Sequence, residues 1–157
     1  MTRVAVVGIG HSKFGRRTDV NIAELAFESI KQAVDDAGVD KKDIKNVVVG
    51  SLGGWCEEAL PAVVVNEYAG LEAVGTMRVE AACASGSAAV KAAYNSILSG
   101  EGNVAMALGV EKMTEVDNST SIELIGRAGS YMWEFEIIGY LGRVRSMRFP
   151  QKHANAS

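Results

Sequence analysis

Four short apolar runs, 3–9, 46–51, 76–81 and 103–109, alternate along the chain with stretches of helical periodicity, and this alternation constrains the fold more than any other feature. Strands joined in series by helices pair in parallel through right-handed crossovers, which lay helices on both faces of one sheet. The expectation is an α/β fold, a three-layer αβα sandwich with a mixed, mostly parallel sheet. The first run, bounded by glycine, reads as a strand buried on both faces. Asn21 then offers a side-chain cap with Glu24 three residues on. Ile22, Leu25, Ala26, Ile30, Ala33, Val34 and Ala37 recur at helical spacing until Gly38, so this helix should lay its stripe on the sheet. Residues 40–43 form a polar turn, and 58–68 read as a short helix with Pro61 near its start and Gly70 at its end. No internal repeat or low-complexity segment interrupts the pattern.

The most informative junction lies at 79–94. Met77, Val79 and Ala81 alternate with Arg78 and Glu80 as in a strand. From Ala84 onward Ala88, Ala89, Ala92, Ala93 and Ile97 share overlapping helical faces, with Gly100 as a stop. Cys83 therefore falls at a strand-to-helix turn. Unpaired N–H groups and the positive end of the helix dipole favour a thiolate there, and the same N–H groups can donate to an oxyanion on a thioester carbonyl attacked by the sulfur. Ala82, Ala84, Ser85, Gly86 and Ser87 are small enough to leave room for an acyl group. Taken alone, these residues allow two readings: a nucleophile, which also needs a base that position does not supply, or a small hydrophobe in a tight helix contact. Cys56, in a loop that lacks the strand-to-helix setting of Cys83, reads as structural. The glycines of 8–15 do not form a dinucleotide fingerprint, because Lys13 stands where the third glycine belongs and the helix begins too late.

The segment 79–86, Val-Glu-Ala-Ala-Cys-Ala-Ser-Gly, resembles the nucleophile segment of the thiolase superfamily, especially the archaeal and sterol-carrier-type thiolases. Residues 108–114, Leu-Gly-Val-Glu-Lys-Met-Thr, resemble the Gly-x-Glu-x-Met-Ser/Thr segment that ends the next strand in those proteins. Residues 4–10 with Lys13, Phe14 and Gly15 resemble their first strand and loop. The resemblance runs from about Thr2 to Glu136. It implies the N-terminal half of a thiolase-like sandwich: a core at 1–114, the start of a substrate-covering loop domain at 115–136, and an unmatched basic tail at 137–157, read as the mark of truncation or a shifted frame. That tail carries +4 while the rest carries −7.

By the same resemblance Cys83 takes an acyl group from an acyl-coenzyme A, and the acyl-enzyme condenses with a second thioester or the reverse cleavage occurs. Coenzyme A thioesters are then substrates, and no permanently bound cofactor or metal is expected. In the family a histidine, a second polar group and an oxyanion-hole glycine come from the other half. His11 and His153 match neither motif, and Glu80 and Glu111 read as exposed or structurally paired carboxylates. The implied partners are an acyl-CoA, a second copy or a complementary thiolase half, and other condensing-enzyme subunits, with dimers forming through the strand before the nucleophile. Two alternatives stand beside the acyltransferase: an inactive thiolase-like fragment or interaction module, and a ketoacyl-synthase-like condensing enzyme.

Composition narrows the remaining classes. A net charge of −3 without a basic stripe argues against nucleic acid. No apolar run reaches the roughly 18 residues of a membrane span. The opening residues lack a signal-peptide pattern, and two cysteines without a Cys-x-x-Cys pair suit reduced thiols, so a cytoplasmic protein is expected.

Overall fold

The computed structural model describes residues 3–53, 55, 58–73 and 75–127. The chain divides into two compact units, Met1–Glu115 and Val116–Ser157. The first contains helix α1 (Ile22–Ala37), strand β1 (Ile44–Gly50), helix α2 (Pro61–Tyr68), strand β2 (Gly75–Val79), helix α3 (Ser85–Leu98) and strand β3 (Val104–Gly109). The strands pair in the order β2-β1-β3, all parallel.

The central strand is apolar on both faces because helices cover both. Val47, Val48 and Val49 are completely buried. Val47 and Val49 share a cluster with Ile22, Ala26 and Ile30 of α1 and Ala62 and Val65 of α2, whereas Val48 packs with Ala89 and Ala93 of α3. Successive strand residues point to opposite faces, so this division places α1 and α2 on one side and α3 on the other. The three layers expected from the alternation are thus present.

Local signals set the element ends. Asn21 accepts the Glu24 N–H at 2.9 Å and the Glu24 carboxylate accepts the Asn21 N–H at 2.7 Å, a reciprocal capping box. Gly38 closes α1 in the left-handed region at φ 63°, where a side chain would be strained. Helix α2 begins at Pro61, three residues later than expected; proline is at home there because the first helical N–H has no intrahelical partner.

The first apolar run departs from expectation. Residues 3–9 form no strand among the described residues, and Val6, Val7 and Ile9 are 80%, 61% and 74% exposed, where burial on both faces had been expected. The run lies along α1. A Cβ added at Gly8 would meet the Ala33 carbonyl at 2.4 Å, and one at Gly10 would meet the Ser29 carbonyl at 2.2 Å. The Ile9 N–H donates to Asp36 at 2.9 Å and the His11 N–H to Gln32 at 3.4 Å. The glycines therefore serve close approach to a helix. The following loop is tied down by Arg17, which bonds Asp19 at 2.8 Å and Glu28 at 2.6 Å. These bonds to the guanidinium hold the Asp19 carboxyl down at about 2.

In the second unit, helix α4 (Asn118–Gly126) was not anticipated where the sequence reads as irregular. Asp117 caps it, accepting from the hydroxyls and N–H groups of Ser119 and Thr120, and these bonds hold its carboxyl well below the ordinary range. The expected boundary at 136/137 and the basic tail lie outside the described residues.

Candidate active site

Because all three strands are parallel, their carboxyl ends meet at one edge: Gly50 stands opposite Val79 on one side and Gly109 on the other. In open α/β sheets this edge is where ligands bind, since the loops that leave it converge. The loop after β2 carries Cys83.

Cys83 is exposed and lies in a single 3₁₀ turn, Ala82–Ala84, between β2 and α3. The sequence expectation of a strand-to-helix turn holds, with one refinement: the thiol precedes the α-helix and does not sit in its first turn. The chain turns by placing Ala82 at φ 48°, the only described non-glycine residue at positive φ. An L-residue there costs roughly 1–2 kcal/mol, so surrounding bonds must hold it. Three do so. The Ala82 N–H donates to the Glu80 carboxylate at 2.5 Å. The Ser85 hydroxyl accepts the Ala81 N–H at 2.9 Å and donates to the Ala82 carbonyl at 2.7 Å. Ser85 is buried and straddles the strained residue as a latch. Sequence reading placed Ser85 among small space-making residues and missed this role; a hydroxyl two residues after the cysteine, at a helix start, was the available signal.

Removing that hydroxyl is expected to lower stability by roughly 1–2 kcal/mol, because the Ala81 N–H loses its partner, the Ala82 carbonyl keeps only the Ser85 N–H, and the Ala82 strain is less opposed. Thermal unfolding of Ser85→Ala beside Ser85→Thr checks this, since threonine keeps the hydroxyl and should fall closer to the parent. Equal midpoints for the parent and Ser85→Ala would sink the latch.

The neighbouring loop is organised by Glu111. One carboxylate oxygen, Oε1, accepts from the Ser51 hydroxyl at 3.0 Å, the Gly53 N–H at 3.4 Å and the Leu52 N–H, gathering the chain that leaves β1; Oε2 is buried without a hydrogen-bond partner. Glu111 is thus a structurally paired carboxylate, as the sequence suggested, and Glu80 is engaged by the Cys83 turn. Helix α3 starts without a side-chain cap, and the N–H of its first residue, Ser85, donates to the Ala82 carbonyl. His11 bonds the Ser12 carbonyl through its ring at 3.0 Å and stacks on Phe14, in keeping with its place in an ordinary loop. Cys56 and His153 lie outside the described residues. Among the described residues no three His, Cys, Asp or Glu side chains are grouped to hold a metal ion, and no helix is long and apolar enough to cross a membrane.

A family model described as "Thiolase, N-terminal domain" matches residues 4–138. The "Acetyl-CoA acetyltransferase" of Methanocaldococcus jannaschii is 40% identical over 136 residues, covering 85% of this chain and 34% of that relative. The protein of the same name from Methanothermobacter thermautotrophicus is 35% identical, covering 85% and 35%. A solved acetyl-CoA acetyltransferase from Syntrophomonas wolfei superposes with a TM-score of 0.55 at 29% identity over 62% of this chain and 26% of that one. The chain thus spans about a third of the length of the curated relatives it matches.

Proposed function

Because this chain belongs to the thiolase family, matching its N-terminal domain, we propose that it supplies the nucleophile of a thiolase-type acyl-CoA acyltransferase of the acetyl-CoA C-acetyltransferase kind, and that Cys83 is that nucleophile. The observation that carries this reading is the exposed thiol on a strained turn at the carboxyl edge of the sheet. A fixed turn presents the sulfur in one direction and lowers the entropy of reaching an attack geometry. The Cys83 thiolate adds to the carbonyl carbon of an acyl-CoA, the oxyanion draws on N–H groups at the start of α3, and collapse breaks the bond to the coenzyme A sulfur. Acyl-Cys83 forms and coenzyme A leaves as a thiolate that takes up a proton. Carbon–carbon bond formation then needs a base and enolate stabilisation, which we assign to a polypeptide region beyond this third of the family's length. Coenzyme A thioesters are substrates in this scheme, and a reducing cytoplasmic setting suits the free thiol.

The test is chemical labelling. In folded protein at neutral pH, iodoacetamide is expected to modify Cys83 faster than Cys56, as read by peptide mass mapping. Preferential modification of Cys56 would remove the support for Cys83.

We also propose that the chain self-associates through β2, which forms one edge of the sheet and whose Met77 is 43% exposed. An edge strand presents unpaired backbone groups that recruit another strand. Sedimentation at micromolar concentration should show a dimer or larger species, and a clean monomer would count against it.

A further inference from the structure

The turn that carries Cys83 is fastened at both ends to the same two residues of the β1 exit. At its entry the Ser51 N–H donates to the Val79 carbonyl at 3.2 Å. At its far end Gly50 backs onto the Ser85 carbonyl and the Gly86 nitrogen so closely that no side chain fits between them. The placement of Gly50 and Ser51 therefore sets where residues 80–84 lie. Both are held in turn from the end of β3. The Val110 N–H donates to the Gly50 carbonyl at 3.1 Å, and the next residue is Glu111. Its Oε1 collects the Ser51 hydroxyl at 3.0 Å, the Gly53 N–H at 3.4 Å and the Leu52 N–H. Gly53 is left-handed at φ 74°, a conformation that lets successive N–H groups converge on one anionic oxygen.

We propose that Glu111 is a positioning residue for the acylation of Cys83: through Ser51 and Gly50 it fixes the turn, so that the sulfur and the N–H groups at the start of α3 keep one relative placement. Three observations favour this over a role in general stability alone. Three donors, one of them the hydroxyl of buried Ser51, converge on a single oxygen, and an ionised acceptor makes such bonds stronger than a neutral one does. The other oxygen, Oε2, is buried and accepts nothing, a desolvation cost that a residue kept only to stabilise the fold would avoid. The strained Ala82 is a second cost within the same few residues, and such costs gather where geometry is held for a purpose. This inference rests on the proposal that Cys83 is the nucleophile and adds to it a residue that governs the attack without joining it.

The test compares two reactions of Cys83 in the full chain, both read by peptide mass mapping at a temperature well below the unfolding of every variant. Acylation by acetyl-CoA needs the sulfur and the oxyanion donors placed together, whereas alkylation by iodoacetamide needs only an accessible thiolate. Glu111→Ala is expected to slow acylation by about tenfold or more, because a small misplacement is amplified in the attack geometry. Its alkylation should change by less than about threefold. Glu111→Gln keeps an acceptor oxygen at the same reach and should stay within about threefold of the parent in both reactions. Ser51→Ala removes one bond and little volume, so it reads the same coupling should Glu111→Ala fail to fold; its acylation should fall by about threefold or more. Glu111→Ala combined with Ser85→Ala should slow acylation by less than the product of the single effects, since both act on one turn. Acylation and alkylation changing in the same proportion, or acylation of Glu111→Ala and Ser51→Ala equal to that of the parent, would overturn the inference and leave Cys83 as the nucleophile. A parent that is not acylated at Cys83 would overturn the nucleophile and this inference with it.

Discussion

Purified 1–157 is expected to show no acetyl-CoA condensation and no acetoacetyl-CoA thiolysis above background. Attack on a thioester requires only a thiolate and donors for the oxyanion, but carbon–carbon bond formation also requires proton removal beside a carbonyl. The described carboxylates near the sheet's carboxyl edge are already committed, Glu80 to the Ala82 N–H and Glu111 to the loop after β1. His11 is bonded to the carbonyl of Ser12. Absence of a general base costs about 10²–10⁴-fold, and loss of an oxyanion donor about a further 10²–10³-fold, so the product approaches the uncatalysed rate. Slow acylation of Cys83 is still expected, because it needs no proton removal beside a carbonyl. A steady-state assay beside Cys83→Ser, with mass spectrometry for acyl-cysteine, separates the two steps. Turnover equal to that of an intact acetyltransferase, abolished by Cys83→Ser, would show that the chain carries its own base and that these residues have been misassigned.

Gly50→Ala is expected to be the most destabilising single methyl addition near the site. A Cβ at Gly50 would lie 2.4 Å from the Ser85 carbonyl oxygen and 3.0 Å from the Gly86 nitrogen, both backbone atoms that no side-chain rotation can clear. Overpacking of this kind costs about 3 kcal/mol, well above the roughly 0.4–1 kcal/mol that alanine returns by restricting the unfolded chain. For a chain of this size the unfolding midpoint should fall by roughly 6–12 °C. The natural control is Gly86→Ala, whose added Cβ meets nothing within 4 Å and which lies within α3, so it should be tolerated. The displacement at Gly50 should also reach Cys83, since Ser85 both packs on Gly50 and latches the turn; iodoacetamide labelling of Gly50→Ala should differ from the parent. A melt within a degree of the parent would contradict the close approach of β1 to the start of α3.

Much of the site was legible because its signals are local. Cys83 between an alternating run and an alanine-rich helix needed only neighbours within a few residues, and the same holds for the Asn21–Glu24 cap, the Gly38 stop and Pro61 at the start of α2. Helix α4 also carries a local signal, Asp117 ahead of Ile122 and Leu124, which the acids and glycines around it obscure. The strained turn was less visible. Glycine advertises a left-handed position, whereas Ala82 does not, and only the bonds from Glu80 and Ser85 explain how alanine is kept there.

By itself the amino-acid sequence determined the alternation of elements, the three layers, the family and the candidate nucleophile, since each depends on side-chain periodicity or on contiguous residues. The tertiary structure decided that residues 4–10 lie against α1 without a strand partner, that Gly50 exists to admit Ser85, and that Glu111 gathers a loop about 60 positions earlier in the chain. A run of valines specifies a preference for extended backbone, but a ladder forms only where a second backbone presents its donors and acceptors at about 4.8 Å. Whether that neighbour is present is a property of the fold and its partners, and no residue within the run encodes it.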